Sequence, residues 1–317
     1  MDKVGFIKYL EGKDYAKKTI MAYVKSAGVF LTKTKKEEIQ ISKPDVLKFL
    51  EYLKNNKKFS NQYRNSYLLS IRHYFDFLYQ EEKIDKNPCW FLKMRGITKK
   101  KLYKIYTPEE LEELFDMYYQ LYVRNYDDSY MPKNYQIHSK LSKERNALAL
   151  SILFNQGVTT TEVEKIELEE VDLIKARLKI RGGRKSNERF IPLKASQIGL
   201  FMHYLQNIRP KLLEYHATES NKLFLPIAKD SKKGTNHNTL LYGFYVLSTQ
   251  LKGIDKQFVN ALQVRASVIS FWIKTLGLRK AQYLAGHRYV SSTEKYIANN
   301  LDGLIDDINK LHPFDFL

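Results

Sequence analysis

Apolar positions over the first part of the chain recur at helical spacing. In "TIMAYVKSAGVFL", Ile20, Tyr23, Val24, Ala27 and Leu31 fall on one face. In "SKPDVLKFLEYLKNN", Ser42 stands at a cap position with Pro44 in the first turn, and Val46, Leu47, Leu50 and Leu53 form the apolar stripe. "NSYLLSIRHYFDFLYQEEK" repeats the pattern with Tyr67, Leu68, Ile71, Tyr74, Phe75 and Leu78. These stretches predict a small helical bundle with basic outer faces. The period breaks at Asn87-Pro88, a turn signal, and a basic run follows from Lys99 to Lys104. Thr107, Pro108 and Glu110 then carry the spacing of a capping box. The expected organisation is a helical domain over 1–96, a basic linker over 97–106 and a second domain over 107–317.

The second domain mixes patterns. "RNALALSILFNQGV" predicts an apolar helix stopping at Gly157, and "TTTEVEKIEL" another, with Thr161 and Glu164 at capping-box spacing. "ARLKIRGGRKSNERFIPL" alternates as a β-hairpin does, with Gly182-Gly183 near the turn. Helices resume after Leu240, and "NNLDGLIDDINKL" predicts a final amphipathic helix with Leu301, Leu304, Ile305, Ile308 and Leu311 on its stripe. Residues 124–140 follow neither period and are expected to form an irregular insertion. The fold class is therefore mainly α with a small β-hairpin or sheet, in two domains.

Length and composition agree with two domains: 317 residues, 44% hydrophobic, exceed one ordinary core. Charge narrows the partner. Lys and Arg outnumber Asp and Glu by 53 to 35, a formal +18, and a polyanion suits such a chain. Nucleic acid comes first, because each neutralised phosphate releases counterions. Lys99, Lys100, Lys101 and Lys104 are the linker's candidate DNA contacts. An AT-rich genome would also give a Lys-rich composition. A membrane is not expected, since the chain has no run of about 18 apolar residues, signal peptide or lipidation box. A lone cysteine, Cys89, forms no internal disulfide and suggests an intracellular setting. No Cys/His cluster has zinc-ligand spacing and no glycine-rich phosphate loop is present, so neither metal nor nucleotide cofactor is expected.

The candidate chemistry lies in "YLAGHRYVSSTEKYI". Here Gly286-His287 is followed by small hydroxyl residues, and Tyr296 comes nine positions after the histidine. The chain has 23 tyrosines, so Tyr296 alone could equally be a packing residue. The order of parts resembles the tyrosine recombinase (phage integrase) family over nearly the whole chain. "TIMAYVKSAGVFL", "NSYLLSIRHYFDFL" and the following "NP" resemble its core-binding domain. "NQGVTTTEVEKIELEEVDL" resembles the entry to its catalytic domain, "RGGRKSNERFIPL" its hairpin, and "LQVRASVISFWIKTLGLRKAQYLAGH" with "STEKY" its closing active-site segment.

That resemblance implies a two-domain C-shaped clamp on duplex DNA and a tyrosine that attacks a phosphodiester to give a 3′-phosphotyrosine. The covalent link conserves the bond energy, so no cofactor is implied. It makes Tyr296 the nucleophile, and Arg265 and His287 phosphate-holding groups. A hairpin lysine would assist the leaving 5′-oxygen. Counting back from Pro192-Leu193 puts Arg184 at that place with Lys185 beside it. Lys185 is favoured, because lysine gives up its proton far more readily than arginine. Two positions depart from the pattern: Thr159 stands where the first arginine is expected, and Leu262 where a histidine is. One lost donor of this kind slows reaction by about 10²–10³. Arg145, three to four turns upstream in a helix, is not expected to compensate, whereas Arg184 could point at the phosphate if Lys185 serves the leaving group.

The resemblance further implies two protomers on an inverted-repeat core site and a tetramer of two such sites. The last helix would dock on a neighbour or in cis. The setting would be the prokaryotic cytoplasm, associated with the nucleoid. A second reading keeps the fold without strand exchange, as an accessory or regulator of an active recombinase partner. A third, a type IB topoisomerase acting as a monomer, fits the N-terminal helical domain poorly.

Overall fold

The computed structural model describes residues 1–96, 104–183, 186–214, 220–226 and 240–297. The chain divides into two compact units, Met1–Lys101 and Leu102–Leu317.

In the first unit, α1 (Lys3–Gly12), α2 (Lys17–Thr34), α3 (Lys43–Asn55) and α4 (Asn61–Gln80) form a bundle. Side-chain caps start three of them: Asp2 on α1, Ser60 on α4, and a Ser42–Asp45 capping box with Pro44 on α3. The α2 stripe is buried through Ile20, Val24, Ala27 and Phe30, with Tyr23 and Leu31 at its edge. On α3 the buried face is Val46, Phe49, Leu50 and Leu53, and Leu47 is 47% exposed. The expected stripe had Leu47 where Phe49 belongs. Spacing i, i+3, i+4, i+7 selects 46, 49, 50 and 53, and leaves position 47 about 100° around the helix. Cys89 is buried in the same core.

The second unit begins with α5 (Pro108–Tyr119), capped by Thr107 and Glu110 as its spacing predicts. It runs on into a wider turn at Gln120–Arg124. Then α6 (Lys133–Gln156) takes its first two turns from the segment expected to be irregular. That third of α6, "KNYQIHSK", is polar on most sides and so shows no apolar period. Gly157 ends α6 in the left-handed region (φ 54°), where glycine has no Cβ to clash. After Val158, α7 (Thr160–Lys165) starts at once, so its capping box is Thr159 with Glu162, not Thr161 with Glu164.

A three-stranded antiparallel sheet follows: β1 (Val171–Asp172), β2 (Arg177–Ile180) and β3 (Arg189–Pro192), in that order. Ile180 pairs with Arg189 and Leu178 with Ile191, which confirms the hairpin and adds an edge strand. The helices α8 (Ala195–His203), α9 (Arg209–Leu213), α10 (Leu240–Ile254), α11 (Ala261–Leu276), α12 (Leu278–Ala285) and α13 (Val290–Glu294) complete the unit. The core of the unit lies around the apolar faces of α6, α10 and α11. Arg145 on α6 is buried within it, bonded to the Leu225 carbonyl and the Asn146 side chain, and takes no part in the site below. Among the described residues no helix is long and apolar enough to cross a membrane. The expected final helix with Leu301, Leu304, Ile305, Ile308 and Leu311 lies outside the described residues, as do Lys99, Lys100 and Lys101.

Candidate active site

Asn260 caps α11, its side chain accepting from the amides of Leu262 and Gln263. This start places Arg265 in the second turn, buried, with its guanidinium among helix ends. Nη1 donates to the Gly157 carbonyl at 2.5 Å and Nη2 to the Ala285 carbonyl at 2.8 Å. These carbonyls close α6 and α12, where the aligned peptide dipoles leave partial negative charge that favours a cation.

His287 follows Gly286, whose φ of 69° turns the chain out of α12. The His287 amide donates to the Gln282 carbonyl at 3.0 Å, which fixes the backbone. Its Nε2 lies 3.2 Å from Arg265 Nη2 and its Nδ1 lies 2.9 Å from Thr293 Oγ1. A guanidinium only donates, so Nε2 accepts and Nδ1 carries the proton, donating to the buried Thr293 hydroxyl. Burial first, then the positive charges of Arg265 and Arg189, push the His287 pKa down to about 4, so the ring is neutral.

Tyr296 stands just past α13, half-buried, its ring close to parallel with that of His287 (14°, centroids 5.7 Å apart). Its amide donates to the Thr293 carbonyl and its own carbonyl accepts from Ser270 Oγ. Arg265, His287 and Tyr296 are thus brought together.

A cavity of about 250 Å³ adjoins the first two, lined among others by Thr159, Lys165, Arg181, Ser186, Arg265 and His287. Tyr296 is outside this lining, and its ring lies beside that of His287, which is part of it. Thr159 faces the cavity while capping α7. Leu262, 61% exposed at the outer end of α11, lines a separate cavity with Phe244 and Tyr245. Arg184 and Lys185 lie outside the described residues. The residues flanking them, Gly183 and Ser186, line the cavity, and Asn187 N donates to the Gly286 carbonyl at 2.9 Å. Lys104 pairs with Glu110 at 2.9 Å and sits over the Tyr106 ring.

Three contributors were not read from the sequence. Thr293 sets the His287 tautomer. Arg189, fully buried on β3, donates to Glu162 Oε1 and the Leu284 carbonyl, both at 2.8 Å. Glu162 also accepts from the Thr159 amide and lies 3.8 Å from Arg265 Nη1. Burial raises the Glu162 pKa, but Arg189, the Thr159 amide and Arg265 outweigh it and hold the carboxyl below its ordinary value. The available signal was Arg189 itself, a charge at an inward-facing strand position beside Ile191, which demands a buried partner.

A helical first unit, followed by a second in which a small sheet and the last helices gather an arginine, a histidine and a tyrosine, is the architecture of the phage-integrase class. Residues 4–85 match the family described as phage integrase, N-terminal SAM-like domain. The tyrosine recombinase XerC of Anoxybacillus flavithermus is 25% identical over 92% of this chain and 90% of its own length. The XerC of Natranaerobius thermophilus is 27% identical over 86% of this chain and 84% of its own. Among solved structures, the Tn1549 transposon integrase in complex with a circular intermediate DNA shares the fold, with a TM-score of 0.63 at 15% identity over 98% of this chain and 99% of that one. Over nearly its whole length the chain is similar to tyrosine recombinases, and its first unit matches their N-terminal domain.

Proposed function

We propose that the chain is a site-specific DNA recombinase, with residues 1–96 as the core-binding domain and 107–317 as the catalytic domain. The observation that carries this reading is the Arg265–His287–Tyr296 cluster beside a cavity. The Tyr296 hydroxyl gives its proton to solvent water and attacks a DNA phosphorus. A 3′-phosphotyrosine bond forms and the bond to the 5′-oxygen breaks. The 5′-oxygen takes a proton from Lys185, and a 5′-hydroxyl from the partner strand reverses the step. Equatorial charge on phosphorus is met by the Arg265 guanidinium, held in place by neutral His287. Arg184, next to Lys185 in the sequence, adds positive charge toward the phosphate. Lys99, Lys100, Lys101 and Lys104 contact the DNA backbone. The substrate is duplex DNA with inverted-repeat core sites, bound by two protomers per site and four in the synapse. No cofactor takes part, because phosphotyrosine stores the bond energy.

Thr159 and Leu262 favour a second reading: a DNA-binding accessory or regulatory protein that acts beside an active recombinase partner. A nicked suicide DNA carrying the chain's own flanking inverted repeats separates the two. The recombinase reading expects a covalent protein–DNA adduct on a denaturing gel that is lost in Tyr296→Phe. Salt-sensitive binding without an adduct would select the accessory reading.

A further inference from the structure

The cavity beside Arg265 and His287 holds more charge than the cluster uses. Its lining includes three cations, Lys165, Arg181 and Arg265, and two carboxylates, Glu162 and Glu170. Glu162 is committed to Arg189. Arg181 is held by three acids: its Nη1 and Nη2 bond Glu167, its Nη2 also bonds Glu169 at 3.0 Å, and its Nε lies 2.6 Å from Glu170. Arg265 is spread over two carbonyls and His287. Lys165 is different. It ends α7, it is exposed, and it makes no hydrogen bond or ion pair with any described residue. Its ammonium is a compact charge on a flexible four-carbon stem, so it can turn toward an anion without breaking anything.

We propose that Lys165 contacts the scissile phosphate, supplying from α7 the positive charge that the short, neutral Thr159 at the head of the same helix lacks. This rests on the recombinase reading. Phosphoryl transfer spreads negative charge over equatorial oxygens, and cations on more than one side stabilise it. Arg265 and Lys165 both line the cavity, from α11 and α7 respectively.

The test pairs protein variants with a single neutral methylphosphonate at the scissile position. Binding is measured in a Tyr296→Phe background, so no chemistry intervenes. Adduct formation is measured with Tyr296 present. With a normal phosphate, Lys165→Ala should slow adduct formation about 10²–10³-fold, and Lys165→Arg should retain most of it. The slope of log affinity against log salt should flatten by about one contact. On the methylphosphonate both Lys165→Ala effects should shrink, because the bound ester is neutral and the transition state carries one negative charge fewer. Equal losses on phosphate and methylphosphonate, or no loss on either, would overturn the inference. So would a full loss in Arg184→Ala with none in Lys165→Ala. If the Tyr296 protein forms no adduct, the recombinase reading fails. The binding pair still decides Lys165, for or against.

Discussion

Arg265 Nη2 and His287 Nε2 lie 3.2 Å apart, with the arginine as the only donor between them. The pair fixes a charge state as well as a position. The ring is neutral, protonated on Nδ1, and its pKa is pushed down to about 4, chiefly by burial and then by Arg265 and Arg189. An unfolded chain would protonate this histidine near 6.5. The folded state takes the proton later, so the group's contribution to stability is complete above 6.5 and shrinks as pH falls toward about 4. Nitrogen NMR of the imidazole should show a single Nδ1–H tautomer from pH 8 to 5.5. A ring that titrates near 6.5 in the folded protein would contradict the assignment.

Thr293 holds the other edge of that ring, its hydroxyl 2.9 Å from Nδ1. Thr293→Val keeps the shape and removes the acceptor, leaving a buried N–H unpaired. The loss should be about 1–3 kcal/mol of stability. Adduct formation should drop about tenfold or more as Arg265 loses its fixed partner. Thermal unfolding and the suicide-substrate assay measure the two effects separately. Full activity with an unchanged tautomer would remove Thr293 from the site.

Glu162 joins the α7 cap to the buried Arg189. Glu162→Gln leaves Arg189 buried without its counter-charge and should destabilise the second unit by about 3–5 kcal/mol in denaturant unfolding. Its folded pKa is below the ordinary 4.5. The stabilisation is therefore present above 4.5 and lost as pH falls through the folded value. The Gln variant should lack that acid-side loss, and its stability should vary less between pH 5 and 3 than the parent's.

Arg189 packs closely against the backbone at Gly286. A Cβ there would lie 2.3 Å from Arg189 Nη1, and its φ of 69° already disfavours a side chain. Gly286→Ala should cost about 2–4 kcal/mol, from left-handed strain plus overpacking. His287 should move with it, so adduct formation should fall further than the stability loss alone requires. A melting temperature within a degree of the parent's would show that Arg189 can step aside.

Much of this was legible where chemistry is local. Apolar stripes gave α2 and α4, Thr107-Pro108-Glu110 gave the start of α5, and alternation gave the β2–β3 hairpin. Local rules failed where two registers fit equally. "TTTEVE" offers the same cap spacing from Thr159 and from Thr161, and only the end of α6 at Gly157 decides between them. Leu47 against Phe49 is a matter of helix phase that bundle packing settles. The polar first turns of α6 carry no period to read. In the site, Arg265, His287 and Tyr296 were assigned by resemblance to the family, and the fold brings the three side by side. Their mutual fixation was not legible, because it runs through carbonyls at Gly157 and Ala285 and through Thr293, which spacing does not mark. Leu262 was assigned to the site by position, yet its side chain lines a different cavity.

Thr159 offers a gain-of-function test. It lines the cavity with Arg265 and His287, and its hydroxyl caps α7. Thr159→Arg gives up the cap, about 0.5–2 kcal/mol, and places a guanidinium where the family pattern has one. If Lys165 already supplies charge from that side, the two should not add. In the Lys165→Ala background, Thr159→Arg should restore adduct formation by about 10²-fold. In the parent it should gain less than about tenfold, because the phosphate is already balanced. Equal gains in both backgrounds would mean that the two positions act on different oxygens or that Lys165 does not reach the phosphate at all, and the methylphosphonate series separates those two cases.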